Sequence, residues 1–114
     1  MPEQGEIVLI PIPFTDLSSQ KRRPVIVISN NEYNRRTGDI VVVAMTSNPV
    51  NVPHSFTIAT TDLSKGMLNR PGKVRADKIY TLAQSIIVKT FGRVNKDVLA
   101  RIRIEFQDLV SEKG

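Results

Sequence analysis

Arg23-Pro24-Val25-Ile26-Val27-Ile28-Ser29 is the stretch that decides the fold. Its four consecutive β-branched residues suit a pleated strand and crowd a helix. It is apolar at every central position, not at alternate ones, which is the pattern of a strand covered on both faces. Asp39-Ile40-Val41-Val42-Val43-Ala44-Met45-Thr46 repeats that pattern. Between the two runs, Asn30 to Gly38 is a polar link with room for one helical turn, ended by Gly38-Asp39. On the N-terminal side, Thr15 to Arg22 (T-D-L-S-S-Q-K-R) is a polar loop, and Glu6 to Phe14 reads as a first strand. Pro11 and Pro13 stand two apart, so their missing amide hydrogens lie on one edge. The second half of that strand is therefore expected at an edge, or leaving the sheet.

Farther along, Ser47 to Pro53 carries two prolines and is a loop. His54 to Thr60 (H-S-F-T-I-A-T) alternates with period two, as a half-exposed strand does. Asp62 to Gly72 is irregular, with a short turn expected around Leu63-Ser64-Lys65. Lys73 to Leu82 suits a strand that bends, and Ile86 to Val94 contains a further short strand with Gly92 as a candidate bulge. Asn95 is a good helix N-cap, with Asp97 in the first turn. Val98, Leu99, Ile102, Phe106, Leu109 and Val110 then follow helical spacing, and Ile104 points away from that stripe. The helix is expected to run for about 17 residues, or ~25 Å. Six or seven short strands without intervening helices, then one long helix, predict a mainly β fold. It is a small, strongly bent antiparallel barrel-like sheet capped by the C-terminal helix.

The 114 residues suit one domain spanning 1–114. There is no cysteine, so disulfides and zinc-thiolate sites are excluded. The start, Met1-Pro2-Glu3-Gln4-Gly5-Glu6, is polar and acidic, unlike a signal peptide, and no apolar run reaches the ~18 residues of a membrane span. A cytoplasmic protein is expected. The net charge of +5 is unevenly placed. From Lys96 onward four bases meet four acids, so the first 95 residues carry the excess. Between Lys65 and Lys78 stand five bases and one acid, with further clusters at Lys21-Arg22-Arg23 and Arg35-Arg36. A basic face on the β part would draw a polyanion to one side, although the same charges also serve plain solubility.

Among groups able to do chemistry, the only histidine, His54, reads as a surface structural residue. No glycine-rich phosphate loop, paired-carboxylate metal spacing or nucleophile elbow is present. What remains is Arg, Lys, Thr, Ser and one Asp flanked by bases. These suffice for transesterification of RNA, where the substrate supplies the nucleophile as its own 2′-hydroxyl. The protein need only align that hydroxyl, accept a proton and stabilise charge on the phosphorus. Along a strand, Arg75 and Asp77 project to one face. That pairing keeps a carboxylate ionised and available as base, or it is a cross-sheet salt bridge with no chemistry; spacing alone leaves both open.

The chain resembles the MazF/PemK/Kid family of toxin endoribonucleases over nearly its whole length. Gly5-Glu-Ile-Val-Leu-Ile10 is similar to the family's first strand, and Arg23-Pro24-V-I-V-I-S-N, followed by Asn34, to its arginine-proline strand. Ala44-Met-Thr46-Ser47 resembles its threonine-serine strand end, and Val74-Arg75-Ala-Asp77-K-I-Y-T-Leu82 the Kid/PemK form of its next motif. Gly92-Arg-Val-Asn95 leads into a closing helix like the family's. The resemblance implies a homodimer of SH3-like barrels that cuts single-stranded messenger RNA at a short sequence without metal or cofactor. It also implies neutralisation by a cognate antitoxin whose acidic C-terminal tail fills the RNA groove.

Carried over by position, the catalytic residues are Arg23, Thr46, Arg75 and Asp77, with Asp77 as base and Arg23 on the phosphate. A guanidinium hardly deprotonates at neutral pH, so Arg75 is given electrostatic stabilisation. Expected RNA contacts are Gln20, Lys21, Arg22, Ser47, Lys73 and Lys78. The loop T-D-L-S-S-Q-K-R departs from the family pattern. It lacks the glycines and the histidine found there, so Lys21 and Arg22 are assigned phosphate contacts in their place. Two other functions stay in view. One is a CcdB-like binder of gyrase, which needs no V-R-A-D segment and calls for an apolar C-terminal anchor; the charge-balanced helix is expected to offer none. The other is a degenerate member that only binds RNA or antitoxin.

Overall fold

A computed structural model describes residues 1–11, 22–49 and 51–114. Among the described residues seven antiparallel strands form one sheet in the order β4-β6-β3-β2-β1-β7-β5. They are β1 Glu6–Pro11, β2 Arg22–Val27, β3 Asp39–Thr46, β4 Ser55–Ile58, β5 Leu63–Lys65, β6 Gly72–Ala83 and β7 Lys89–Val94. The sheet curls into a half-barrel, closed over by the C-terminal helix. The two β-branched runs become β2 and β3 at its centre, and each is flanked by strands on both sides.

Both sheet faces are covered, which is why these strands are apolar throughout. One face packs Ile7, Ile26, Val43, Phe56 and Val74 against Val98 and Ile102 of the helix. The other gathers Val8, Ile10, Val25, Val27, Ile40 and Val42 under Tyr80 and Leu82. The polar link holds α1, Asn31–Arg36, capped by the Asn30 side chain, which accepts from the Tyr33 amide at 2.8 Å. Asn34 is fully buried there, and its side-chain amide donates to the carbonyls of Ser29 and Pro2.

Pro11 pairs with Arg22 of β2, but on the opposite side the pairing with β7 has ended at Leu9–Lys89. The proline therefore lies where that side of β1 is an edge, as its missing amide hydrogen requires. Residues 12–14 of the expected first strand, and 15–21 of the expected loop, lie outside the described residues. Arg22, placed at the loop's end by sequence, opens β2. The turn expected at Leu63-Ser64-Lys65 is a three-residue strand paired with β7. Three residues are too few to show a period, and the pairing that makes them a strand comes from about thirty residues away.

Helix α2 runs Lys96–Leu109, 14 residues instead of about 17. The Asn95 side chain caps it, accepting from the Val98 amide at 3.0 Å. Of its apolar stripe only Val98 and Ile102 are buried. Phe106, Leu109 and Val110 stay exposed, so the helix does present an apolar C-terminal end. No helix among the described residues is long and apolar enough to cross a membrane.

Candidate active site

Strand register places the site. Val25 pairs with Ala44, and Ala44 with Arg75, so the three side chains share one face. Carrying the β2–β3 register past Pro24, which has no amide hydrogen to donate, sets Arg23 opposite Thr46. Thr46 in turn pairs with Lys73. Arg23, Thr46 and Arg75 thus meet at one end of a sheet face whose other end is the apolar cluster under Tyr80 and Leu82.

The β3–β6 ladder breaks beside Ala44. Val43 pairs with Ile79 while Ala44 pairs with Arg75, so Ala76, Asp77 and Lys78 have no partner on β3. This bulge is the bend foreseen in Lys73 to Leu82, and it carries the aspartate. Its backbone is held from the other side, where the Ala76 amide donates to the His54 carbonyl at 3.0 Å. His54 adopts φ +60°, uncommon for a residue with a Cβ. Its side chain is half-buried rather than free on the surface. It is wedged under α2, with Nδ1 3.6 Å from Glu105 and 3.8 Å from Asp108.

Arg75 and Asp77 form a bidentate pair, Nε to Oδ1 and Nη2 to Oδ2, both 2.8 Å. The pair lies within one strand, not across the sheet. The guanidinium on both oxygens holds the Asp77 carboxyl below its usual range, against the opposing effect of partial burial, and the same contact raises Arg75. The resting site therefore contains an ionised carboxylate, each of whose oxygens accepts a bond from Arg75. A phosphate competing for Arg75 would free a lone pair on Asp77 and restore its basicity.

A hollow of about 410 Å³ is lined by Arg23, Thr46, Asn48, Arg75 and Lys78 at its polar end and by Ile10, Tyr80 and Leu82 at its apolar end. Asp77 joins it through Arg75. The Thr46 hydroxyl accepts the Asn48 amide at 3.1 Å, which leaves its own hydrogen free to donate outward. Among the described residues no carboxylate pairs with Arg23. A second hollow of about 440 Å³ adjoins the first and shares Arg23, Pro24, Met45 and Thr46 with it. Arg22 and Ser47 line it as well.

Of the expected RNA contacts, Arg22, Ser47 and Lys78 reach these hollows. Lys73 is almost covered, and its Nζ donates to Asn51 Oδ1 at 3.2 Å. Gln20 and Lys21 lie outside the described residues. Sequence reasoning passed over Asn48 and Tyr80. The signal for Tyr80 was present, since it lies three residues after Asp77 in a strand with one buried face. Asn48 depends on a turn that only the Thr46 hydroxyl defines.

The profile of the PemK-like, MazF-like toxins of type II toxin-antitoxin systems matches residues 3–110. No curated protein matches the chain. Among solved structures, MazE-MazF (form III) from Deinococcus radiodurans is 27% identical, with TM-score 0.77 and 98% of each chain covered. An endoribonuclease from a mycobacterial species is 25% identical, with TM-score 0.73, covering 94% of this chain and 88% of that one. A mycobacterial endoribonuclease in complex with its cognate antitoxin shares the fold at TM-score 0.78 and 22% identity, over 99% of this chain and all of that one.

Proposed function

The chain belongs to the PemK-like, MazF-like toxin family of type II toxin-antitoxin systems, and on that premise we propose that it is a sequence-specific endoribonuclease acting on single-stranded messenger RNA. The observation that carries this is the meeting of Arg23, Thr46 and the Arg75–Asp77 pair at one hollow. Arg23 and the Thr46 hydroxyl hold non-bridging oxygens of the scissile phosphate. That phosphate draws Arg75 from Asp77, and the released carboxylate takes the proton of the adjoining 2′-hydroxyl. The bond from O2′ to phosphorus forms, and the bond from phosphorus to O5′ breaks. The departing 5′-oxygen takes up that proton from Asp77, directly or through water, leaving a 2′,3′-cyclic phosphate, a 5′-hydroxyl and the carboxylate restored. Nucleophile, proton acceptor and countercharge are all supplied by substrate and side chains, so the step calls for no metal.

Membership also supports a homodimer and a cognate antitoxin whose acidic C-terminal tail would fill the same basic hollow. The test is cleavage of a long unstructured RNA in EDTA, with the 5′ ends of the fragments sequenced. Equal cutting of a substrate lacking the 2′-hydroxyl at the scissile position would overturn the mechanism. One observation favours a second reading, a member that binds RNA or antitoxin without cutting: both oxygens of Asp77 are already taken by Arg75. RNA that is bound but left intact would establish it.

A further inference from the structure

The hollow on the far side of Arg23 and Thr46 collects Arg22, Arg23 and Arg70, together with Asn69 and Phe91. Among the described residues no carboxylate lines it, and none of the three arginines is ion-paired. Three unneutralised guanidinium groups around one recess repel each other and favour an anion between them. Arg70 and Asn69 are not on a swinging loop. The Thr60 hydroxyl donates to the Leu68 carbonyl at 3.1 Å and accepts the Leu68 amide at 3.0 Å, which pins the segment. Pro71 then fixes the backbone, and β6 begins at Gly72. Phe91 is the extra residue of β7, since Ile7 pairs with Gly92 and Val8 with Thr90. At that bulge the half-buried Phe91 packs against the core and lines the recess.

Cations for a phosphate, a ring for a base and an amide that both donates and accepts are the components of a nucleotide subsite. We propose that this second hollow binds the RNA nucleotide next to the scissile phosphate. Arg22 and Arg70 hold its backbone, its base rests on Phe91, and Asn69 reads the base edge. The proposal rests on the ribonuclease reading of the adjoining hollow and adds to it a specificity site. It also gives a role to Arg70, which, like Lys65, is a member of the Lys65–Lys78 basic cluster without a place in the catalytic assignment.

The experiment uses the full chain and two RNAs, each made cleavable and as an uncleavable form with 2′-deoxyribose at the scissile position. One RNA is complete and the other lacks the flanking nucleotide. Arg70→Ala should weaken binding of the complete uncleavable RNA about tenfold and lower its log–log salt slope by about 1. It should leave single-turnover cleavage at saturation within about threefold of wild type. The shortened RNA should bind wild type about tenfold less well, and Arg70→Ala should then add nothing. Asn69→Ala should relax base preference at that one position, and Arg70→Lys should recover part of the affinity. Unchanged thermal unfolding shows that the variants fold, and Phe91→Leu tests the ring with little loss of packing volume. Wild-type affinity, salt slope and preference in Arg70→Ala and Asn69→Ala would overturn the subsite. Failure of wild type to cut RNA that it binds would overturn the ribonuclease reading alone.

Discussion

Replacing Asp77 by Asn keeps the side chain's shape and removes its charge, which separates the structural use of the Arg75–Asp77 pair from its chemical use. Both partners are about a quarter exposed. A bidentate but partly solvated pair of this kind stabilises a fold by about 1 kcal/mol. For a domain near this size, that loss lowers Tm by roughly 4 °C. A protein stable by about 5–15 kcal/mol stays overwhelmingly folded after it. Losing a general base costs a factor of about 10²–10⁴, or about 3–5.5 kcal/mol in the barrier.

Thermal unfolding and single-turnover cleavage of a fluorescent RNA, run on the same preparation, should therefore diverge: a small stability loss beside a collapse in rate. The pH dependence adds a second readout. Asp77 is depressed in the folded protein, so its stabilisation is complete above the unfolded value of about 3.9 and disappears as pH falls through the folded value. The gap in stability between wild type and Asp77→Asn should stay constant from pH 7 to about pH 5 and close only at lower pH. In cleavage, substrate that draws Arg75 away should move the acidic limb of kcat to higher pH than that of kcat/KM. Cleavage by Asp77→Asn within threefold of wild type would refute the base assignment. A stability loss of ~3 kcal/mol or more would make the pair structural.

Arg23→Ala should lower kcat by about 10²-fold with Tm unchanged, since Arg23 is exposed and no described carboxylate depends on it; melting and single-turnover assays check both halves. Gly66→Ala should destabilise by ~2–4 kcal/mol in denaturant titration. Gly66 sits at φ +87°, and an added Cβ would stand 2.6 Å from the Phe91 carbonyl oxygen, a backbone atom that cannot swing aside. Asn95→Ala should cost about 1 kcal/mol through the lost cap on α2, measured by thermal unfolding, and leave cleavage intact.

The strands were legible where burial on both faces made them unambiguous. Val25 to Val27 and Ile40 to Val43 carry no other interpretation, and the Asn95 cap marked where α2 begins. The far end of α2 misled, because Phe106, Leu109 and Val110 keep helical spacing yet stay exposed. Periodicity records what a face could bury, not what lies against it. Arg75 and Asp77 were readable as partners from i, i+2 spacing, but occupation of both carboxylate oxygens was not, because it depends on side-chain geometry at a bulge. Nothing in the order of residues announced the pocket of Arg22, Arg70 and Phe91, which three distant segments bring together. His54 is a structural residue, as the sequence suggested, but the cover that half-buries it comes from α2, about fifty residues away.

The position of the site follows from where the sheet fails to pair. At Ala44 the ladder is interrupted on both sides, by Pro24 with no amide to give β3 and by the three-residue bulge of β6. A regular sheet would satisfy every backbone group here and present a flat apolar face, as it does from Ile40 to Val43. Interruption releases Arg23 and Arg75 from that apolar face and lets a carboxylate stand beside a guanidinium on one strand. Support comes from the other side: the Ala76 amide extends the β4–β6 ladder onto the His54 carbonyl, and His54 adopts a left-handed backbone there. Restoring regular pairing, by deleting the three unpaired residues Ala76 to Lys78 so that Arg75 directly precedes Ile79 with its facing kept, should therefore stabilise the sheet while abolishing cleavage. A more stable variant that still cut RNA would separate the chemistry from the bulge.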